Sequence, residues 1–475
     1  MKPRVLLVNT NTEKAPYPVP PLGLCLLAST LEERFEVRVY DGVFDEGRGL
    51  PESIRNFDPS FIGFSIRNID DVVMDRTVFY VEEIVQRFVL PARAVSDAIM
   101  ILGGSGFSIF PAELMEATAA HYGIAGEGEE WLPVLLERLS DGKGTDDIPG
   151  LFRGTAQVPV AGRFLGPRVY PERFSEIDRW IDFSPYRQKG VYSVQTKRGC
   201  GHRCIYCTYP RIEGRRFRPR DPEAIAGEIE QAAKRLGSVT FEFVDSTFND
   251  PAGHAEAVCR AIIIRKLNVR LRTMGINPRH CSDELFSLMR EAGFVQIDAT
   301  PDSASPRVLK QVGKGFTRRE IERMARLITR HDMPTMWFFL FGGPGEDEST
   351  FNETLSFIDD FISPSDLVYM NAGMRIYPGT PLHTVAIREG YLSMDQSLYH
   401  PPVFYYSPLL GKERLDELIR AASEQRVNCL HALETTPSPE MLSEALRWRT
   451  ANGVNEPMFR TLLRFRGEWR KAGRL

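Results

Sequence analysis

The chain has 475 residues, a size that allows about three domains, each able to bury its own core. Hydrophobic residues make up 43% and charged residues 26%, which excludes a disordered, collagenous or coiled-coil chain. Lys and Arg number 59 against 63 Asp and Glu, a net charge of −4, so no overall field gathers a polyanion and no nucleic-acid partner is expected.

The first apolar run breaks after Val8, too short for a secretion signal, and no stretch approaches the ~18 apolar residues of a membrane span. The expectation is a cytoplasmic protein. Within residues 1–145, apolar runs at 4–9, 37–41, 61–66, 98–103 and 122–125 are rich in Val and Ile and mostly free of charge, as strands buried on both faces are. Helical patterns at 21–34, 78–89, 112–118 and 129–139 lie between them. Five strands with intervening helices predict an α/β domain built on a doubly wound parallel sheet. Ligands of such sheets sit at the carboxyl ends of the strands. There the chain reads Asn9-Thr10-Asn11-Thr12, Ser65-Ile66-Arg67-Asn68, Gly103-Gly104-Ser105-Gly106 and Gly126-Glu127-Gly128-Glu129. These loops would ring one crevice, although strand-to-helix turns need glycine without a ligand too.

Residues 146–188 lose periodicity and read as a linker. A second strand-helix series fills 189–390, with strands at 192–196, 239–244, 269–274, 294–299, 335–341 and 367–376 and helices at 222–236, 254–266, 283–292, 318–331 and 348–361. Six repeats predict a partial (β/α)6 barrel of the TIM type, whose working end is the C-terminal one. Residues 391–475 read as mainly helical. Their aromatic stretch Pro401-Pro402-Val403-Phe404-Tyr405-Tyr406-Ser407-Pro408 could lid the barrel mouth or pack on its rim.

Seven cysteines are too few and too uneven for a disulfide framework. Cys25, Cys259, Cys281 and Cys429 stand alone in or beside apolar helical patterns, as buried thiols do. The other three crowd into Cys200-Gly201-His202-Arg203-Cys204-Ile205-Tyr206-Cys207, directly after the first barrel strand. A loop this tight can hold one side of an iron-sulfur cube with three thiolates and leave one iron open. The alternatives are a structural zinc site, which would have to recruit His202 or a distant fourth ligand, and a redox dithiol, which needs two cysteines and not three.

This segment resembles the signature of the radical S-adenosylmethionine (SAM) superfamily, with aromatic Tyr206 just before the third cysteine. The resemblance implies a [4Fe-4S] cluster on Cys200, Cys204 and Cys207, SAM chelating the open iron, and reductive cleavage of SAM to a 5′-deoxyadenosyl radical. Further strings extend it. Phe243-Val244-Asp245-Ser246-Thr247-Phe248 resembles a second-strand element whose acidic residue, Asp245, faces cluster and SAM, although the usual glycine-rich form is absent. In the fourth-strand region Asp302 or Ser303 would reach the ribose hydroxyls and Lys314 the SAM carboxylate. Gly342 and Gly343 resemble the fifth-strand turn near the adenine, and residues 375–382 the sixth strand and its exit. Ordinary readings stand beside these: Asp302 and Ser303 as a helix cap before Pro306, the glycines as a plain turn. The run Arg215-Arg216-Phe217-Arg218-Pro219-Arg220 could dock an acidic electron donor of the flavodoxin or ferredoxin type, or form a solvated charge run.

A five-stranded sheet ahead of such a barrel resembles the cobalamin-binding branch of the superfamily. Pro20-Pro21-Leu22-Gly23-Leu24, Gly103-Gly104 and Gly126-Glu127-Gly128-Glu129 fit it. The resemblance implies cobalamin over the strand ends, near Asn11, Ser65, Arg67, Asn68, Gly103, Gly104, Ser105, Gly126 and Glu127. The Asp-x-His-x-x-Gly string that supplies a cobalt ligand in mutase-type domains is missing, since the first loop reads Asn9-Thr10-Asn11-Thr12-Glu13-Lys14. The expected enzyme abstracts hydrogen from an unactivated carbon of a small molecule or natural product and transfers a methyl group from methylcobalamin. Its rivals are a non-methylating cyclisation, oxidation or rearrangement, a methylthiotransferase, for which Cys25 alone could not hold the second cluster, and a non-catalytic iron-sulfur or zinc protein.

Overall fold

A computed structural model of the chain describes residues 2–154, 174–431 and 437–471. The Val- and Ile-rich runs become the parallel strands Arg4–Asn9, Glu36–Asp41, Phe61–Ser65, Ile99–Gly103 and Tyr122–Ile124, in the spatial order second, first, third, fourth, fifth. The expected five-stranded sheet gains a sixth member. Leu151–Arg153, inside the stretch read as linker, pairs antiparallel with Tyr122–Ile124. Three residues are too short to show a period, yet they cover what would be an open edge. The linker also holds short helices at Ile177–Trp180 and Ser184–Lys189, and its residues 155–173 lie outside the described residues. The sheet's second connection is the helix Leu50–Phe57, which buries Leu50, Ile54 and Phe57 and was not anticipated.

The strands Tyr192–Val194, Thr240–Phe243, Arg270–Ile276, Phe294–Asp302, Thr335–Phe341 and Leu367–Ala372 lie side by side in chain order, all parallel. The partial barrel thus has its six repeats. A seventh parallel strand, Cys429–His431, comes from the C-terminal segment and extends the sheet beyond Leu367–Ala372. Among its described residues that segment also holds the short strand Phe404–Tyr405 and the helices Lys412–Gln425, Pro439–Asn452 and Met458–Lys471. Outward-facing Tyr192, Phe241, Phe243, Leu271 and Ile297 join the core under the helices. On the opposite face Glu242 and Arg272 meet the N-terminal chain: Tyr17 donates to Glu242 at 2.7 Å and accepts from Arg272 at 2.7 Å.

The predicted strand at 367–376 breaks at Gly373. Its φ is +72°, and an added Cβ would lie 2.4 Å from Met74 Sδ, so the backbone there must be glycine for the N-terminal domain to approach. The chain then turns, and Met374–Arg375 pairs antiparallel with Phe404–Tyr405. The aromatic stretch is therefore packed on the barrel exit, with Phe404 and Tyr405 buried. No helix among the described residues is long and apolar enough to cross a membrane.

Candidate active site

Thr196, Lys197 and Arg198 carry the first barrel strand to the cysteine loop. Asp245 is committed to this exit. It accepts from Thr196 N at 2.8 Å, Thr196 Oγ1 at 2.6 Å and Lys197 N at 3.2 Å, and Lys197 Nζ stands 3.4 Å away. Buried and saturated, Asp245 anchors the base of the loop and does not line the cavity of the thiols. The loop is closed by a two-residue ladder, Lys197–Arg198 against Arg218–Pro219. Gly199 has φ +83°, and a Cβ there would meet Arg216 O at 2.1 Å. Farther on, Ile205 N donates to Val312 O at 3.0 Å and Leu382 N to Ile205 O at 2.9 Å, so two distant segments hold the loop in place.

Cys200, Cys204 and Cys207 line one cavity of about 490 Å³ at the C-terminal ends of the barrel strands. Among the described residues no three His, Cys, Asp or Glu converge closely enough for a single ion. Three thiols on one cavity wall suit a multi-iron cube better than a tetrahedral zinc. Burial pushes all three thiols up, Cys207 to about 12, so metal must displace their protons.

Tyr206, Asp302 and Lys314 meet in the same cavity. Tyr206 donates to Asp302 Oδ2 at 2.5 Å, and Lys314 Nζ lies 2.9 Å from that oxygen and donates to Thr300 O at 3.0 Å. Burial disfavours the charge of Lys314, but Asp302 together with the neighbouring Cys204 and Cys207 holds the ammonium above its ordinary pKa. A fixed ammonium with a carboxylate beside it could take a carboxylate on one side and hydroxyls on the other. Ser303 is elsewhere: fully buried, it shares a hydrogen bond with Thr354 and accepts from Ser305 N at 3.1 Å, which braces the turn ahead of the helix Pro306–Val312; the N-cap of that helix is Ser305, so Ser303 is not the cap that the sequence suggested.

Gly342 and Gly343 do not line the cavity either. A Cβ on Gly342 would meet Leu415 at 2.9 Å and one on Gly343 would meet Met374 at 2.8 Å, so the turn is packed on both sides. Both glycine N–H groups donate to Glu346 Oε2, while Glu346 Oε1 is buried without a hydrogen-bond partner among the described residues. Burial pushes this carboxyl up to about 7 from 4.5. The folded chain keeps that proton where the unfolded chain has released it, so stability should fall by about 3 kcal/mol as pH rises from 4.5 through 7. Glu346→Gln should flatten that part of the curve, read as urea midpoints at pH 5 and 8. An equal slope in both proteins would remove Glu346 as its source.

Residues missed in the sequence complete this cavity. Ile276, Asn277, Phe338 and Asn371 come from barrel strands or their exits, and Asp71 and Val72 from the N-terminal domain. Val72 is half exposed with φ +58°, a strained conformation for a β-branched residue. Its turn is held by Asp70, which accepts from Val72 N at 3.1 Å and from Arg375 Nε at 3.0 Å.

A second cavity of about 240 Å³ opens at the carboxyl ends of the N-terminal sheet. Ser65, Gly103, Gly104, Ser105, Gly126 and Glu127 line it, over an apolar floor that includes Leu7, Ile101 and Leu132. A Cβ on Gly103 would meet nothing nearer than Ile124 O at 4.0 Å, so any side chain there would fill the slot. An apolar slot with a polar rim suits a flat heterocycle on a polar tether. Asn11, Arg67 and Asn68 gather in a separate small recess, where Asn68 Nδ2 donates to Asn11 Oδ1 at 3.3 Å. Glu127 lines the slot but is engaged elsewhere: Arg218 grips both its oxygens and Arg198 lies 3.1 Å away. Arg198 also reaches Glu129 at 2.5 Å. These four buried charges fix the base of the cysteine loop against the N-terminal domain. They specify that geometry more than they stabilise it.

Comparison with known proteins accords with both cavities. The Radical SAM superfamily model matches residues 194–358, and the B12 binding domain model matches residues 8–136. Tryptophan 2-C-methyltransferase of Streptomyces laurentii is 27% identical over 451 residues, covering 79% of this chain and 73% of that one. The structure of the radical SAM methyltransferase TsrM from Kitasatospora setae with cobalamin and a [4Fe-4S] cluster bound is 25% identical, with a TM-score of 0.81 over 99% of this chain and 100% of the other. TsrM with tryptophan substrate and a SAM analog gives a TM-score of 0.83 at 25% identity, over 99% of each chain. The chain is an enzyme and belongs to the cobalamin-binding branch of the radical S-adenosylmethionine superfamily.

Proposed function

We propose that the chain is a cobalamin-dependent radical SAM C-methyltransferase of a small molecule. The observation that carries this reading is the pairing of the two cavities about one loop. The thiol cavity is completed by Asp71 and Val72 of the N-terminal domain, and the glycine-lined slot is completed by Gln195, Arg198 and Glu213 of the barrel. In this reading residues 1–145 hold cobalamin, 189–390 hold the cluster and SAM, and 391–475 cap the barrel, with 146–188 between.

Cys200, Cys204 and Cys207 would hold three irons of a [4Fe-4S] cluster. Lys314 would neutralise the SAM carboxylate, and Asp302, oriented by Tyr206, would meet its ribose hydroxyls. Ser65, Gly103, Gly104, Ser105 and Gly126 would border cobalamin. These cofactors would supply a 5′-deoxyadenosyl radical able to take hydrogen from an unactivated carbon, and a methyl donor. The protein's own contribution is confinement: Ile276, Phe338, Leu340 and Val72 present an apolar wall to the reacting carbon, and Asn371 offers a polar contact. The likeness to a tryptophan 2-C-methyltransferase supports transfer to carbon, and an electron donor of the flavodoxin or ferredoxin type would serve the cluster.

The test is incubation of the cobalamin-loaded, anaerobically reconstituted enzyme with deuteromethyl-labelled SAM and a fractionated small-molecule extract, followed by mass spectrometry. A deuteromethyl-bearing product with S-adenosylhomocysteine is expected. Formation of 5′-deoxyadenosine with no deuterium incorporation would overturn methyl transfer.

A further inference from the structure

The cysteine loop borders a second concavity on its outer side, of about 810 Å³. The charged side chains lining it are all basic: Arg203, Arg279, Lys310, Arg318 and Arg319. Among the described residues no Asp or Glu lines this bowl, in a chain whose net charge is −4. Arg318 is tied to Glu322 at 3.0 Å. Arg203, Arg279, Lys310 and Arg319 are exposed and make no ion pair among the described residues.

Three residues, His202, Asn277 and Phe316, line both this bowl and the cavity of the three thiols. A single layer of side chains thus separates outer surface from thiol pocket. That layer is fixed from behind by Asp250, which lies 2.8 Å from His202 Nε2 and accepts from Asn277 Nδ2 at 3.0 Å. The run Arg215–Arg220 corrects the expectation formed from sequence. Arg218 is buried on Glu127, and Arg220 is buried against Glu228 at 2.6 Å, so only Arg215 and Arg216 face outward. The larger set of free cations lies in the bowl.

A small anion is held by donors that converge on one point. Here the cations stand apart on four segments of chain, a spread that meets a broad acidic face. We propose that this bowl docks an acidic one-electron carrier protein, which delivers an electron to the cluster site across the layer of His202, Asn277 and Phe316. The inference rests on the reading of Cys200, Cys204 and Cys207 as cluster ligands. In the transfer the carrier's flavin or iron-sulfur centre loses one electron and the enzyme's cluster gains it. No bond to the carrier forms or breaks, and the basic side chains only pair with its carboxylates.

Flavodoxin is the probe, with the reconstituted enzyme. The variant Arg279→Glu, Lys310→Glu, Arg319→Glu should bind flavodoxin about tenfold or more weakly, and flavodoxin-driven SAM cleavage should fall by a similar factor. Cleavage driven by dithionite should be unchanged. Wild-type affinity should drop steeply with added salt. The reversals Lys266→Glu and Arg447→Glu, outside the bowl, should leave affinity intact. Flavodoxin affinity that survives the triple change, an equal loss in the outside reversals, or wild-type binding of RNA in place of flavodoxin would each overturn the docking face. Failure of dithionite to drive SAM cleavage in the wild type would instead overturn the cluster reading, while salt-dependent flavodoxin binding would still report on the face.

Discussion

Replacing any one of Cys200, Cys204 and Cys207 with alanine is expected to leave a folded protein that no longer assembles a four-iron cluster or cleaves SAM. The loop's path does not depend on the thiols. It is held by the ladder of Lys197–Arg198 with Arg218–Pro219 and by the backbone bonds of Ile205 to Val312 and Leu382. The far-ultraviolet circular dichroism spectrum should therefore match the wild type while iron content after reconstitution falls well below four per chain. The control is Cys281→Ala. Cys281 is buried beside Asn277 and Asn249 and does not line the thiol cavity, so its removal should leave the iron content unchanged. A full complement of iron in Cys204→Ala would show that other residues hold the metal.

The largest effect on stability is expected at Arg375. This guanidinium and Asp70 are each about 1% exposed in their side chains, and Nε lies 3.0 Å from the carboxylate. The other nitrogens donate to Ile376 O at 2.8 Å, Leu398 O at 2.7 Å and Val403 O at 3.3 Å. One side chain thus ties together the N-terminal domain, the barrel exit and the aromatic segment. Arg375→Met would leave a buried carboxylate without its countercharge and strip the carbonyls of Ile376 and Leu398 of their donor, Val403 O keeping its bond from Ile376 N, at a cost of about 3–5 kcal/mol, a large share of a domain's total stability. Adding Asp70→Leu should recover only part of the loss, because the carbonyls stay orphaned. A shift in the urea midpoint equivalent to less than about 1 kcal/mol for Arg375→Met would refute the tie.

Much of this architecture was legible in the chain because parallel strands buried on both faces read as unbroken apolar runs. The cysteine loop was legible because its chemistry is compressed into eight residues. Tyr206, Asp302 and Lys314 were singled out by the resemblance of their strings to the superfamily's motifs, and the structure brings the exits of the first and fourth barrel strands together in one cavity. Asp245, Ser303, Gly342 and Gly343 lie on similar loops, but their groups are consumed by the fold: Asp245 holds a strand exit, Ser303 the turn ahead of a helix, and the glycines a turn packed on Leu415 and Met374. Short strings mark both uses alike. Glu127 and Arg218 stand 91 residues apart, and no local pattern announces a pair that only tertiary structure brings together. The strands Leu151–Arg153 and Cys429–His431 have three residues each, below the length at which alternation can be read. Inward-facing Phe338 and Asn371 depend on strand register, and Val72 on a loop from another domain.

The measurement that bears most directly on the central claim is the electron paramagnetic resonance spectrum of the reduced, reconstituted enzyme, recorded with and without SAM on protein of known iron and sulfide content. Three thiolates with one iron left open should give about four irons and four sulfides per chain and a signal that changes when SAM is added. A single tetrahedral ion, or a four-iron signal indifferent to SAM, would contradict it.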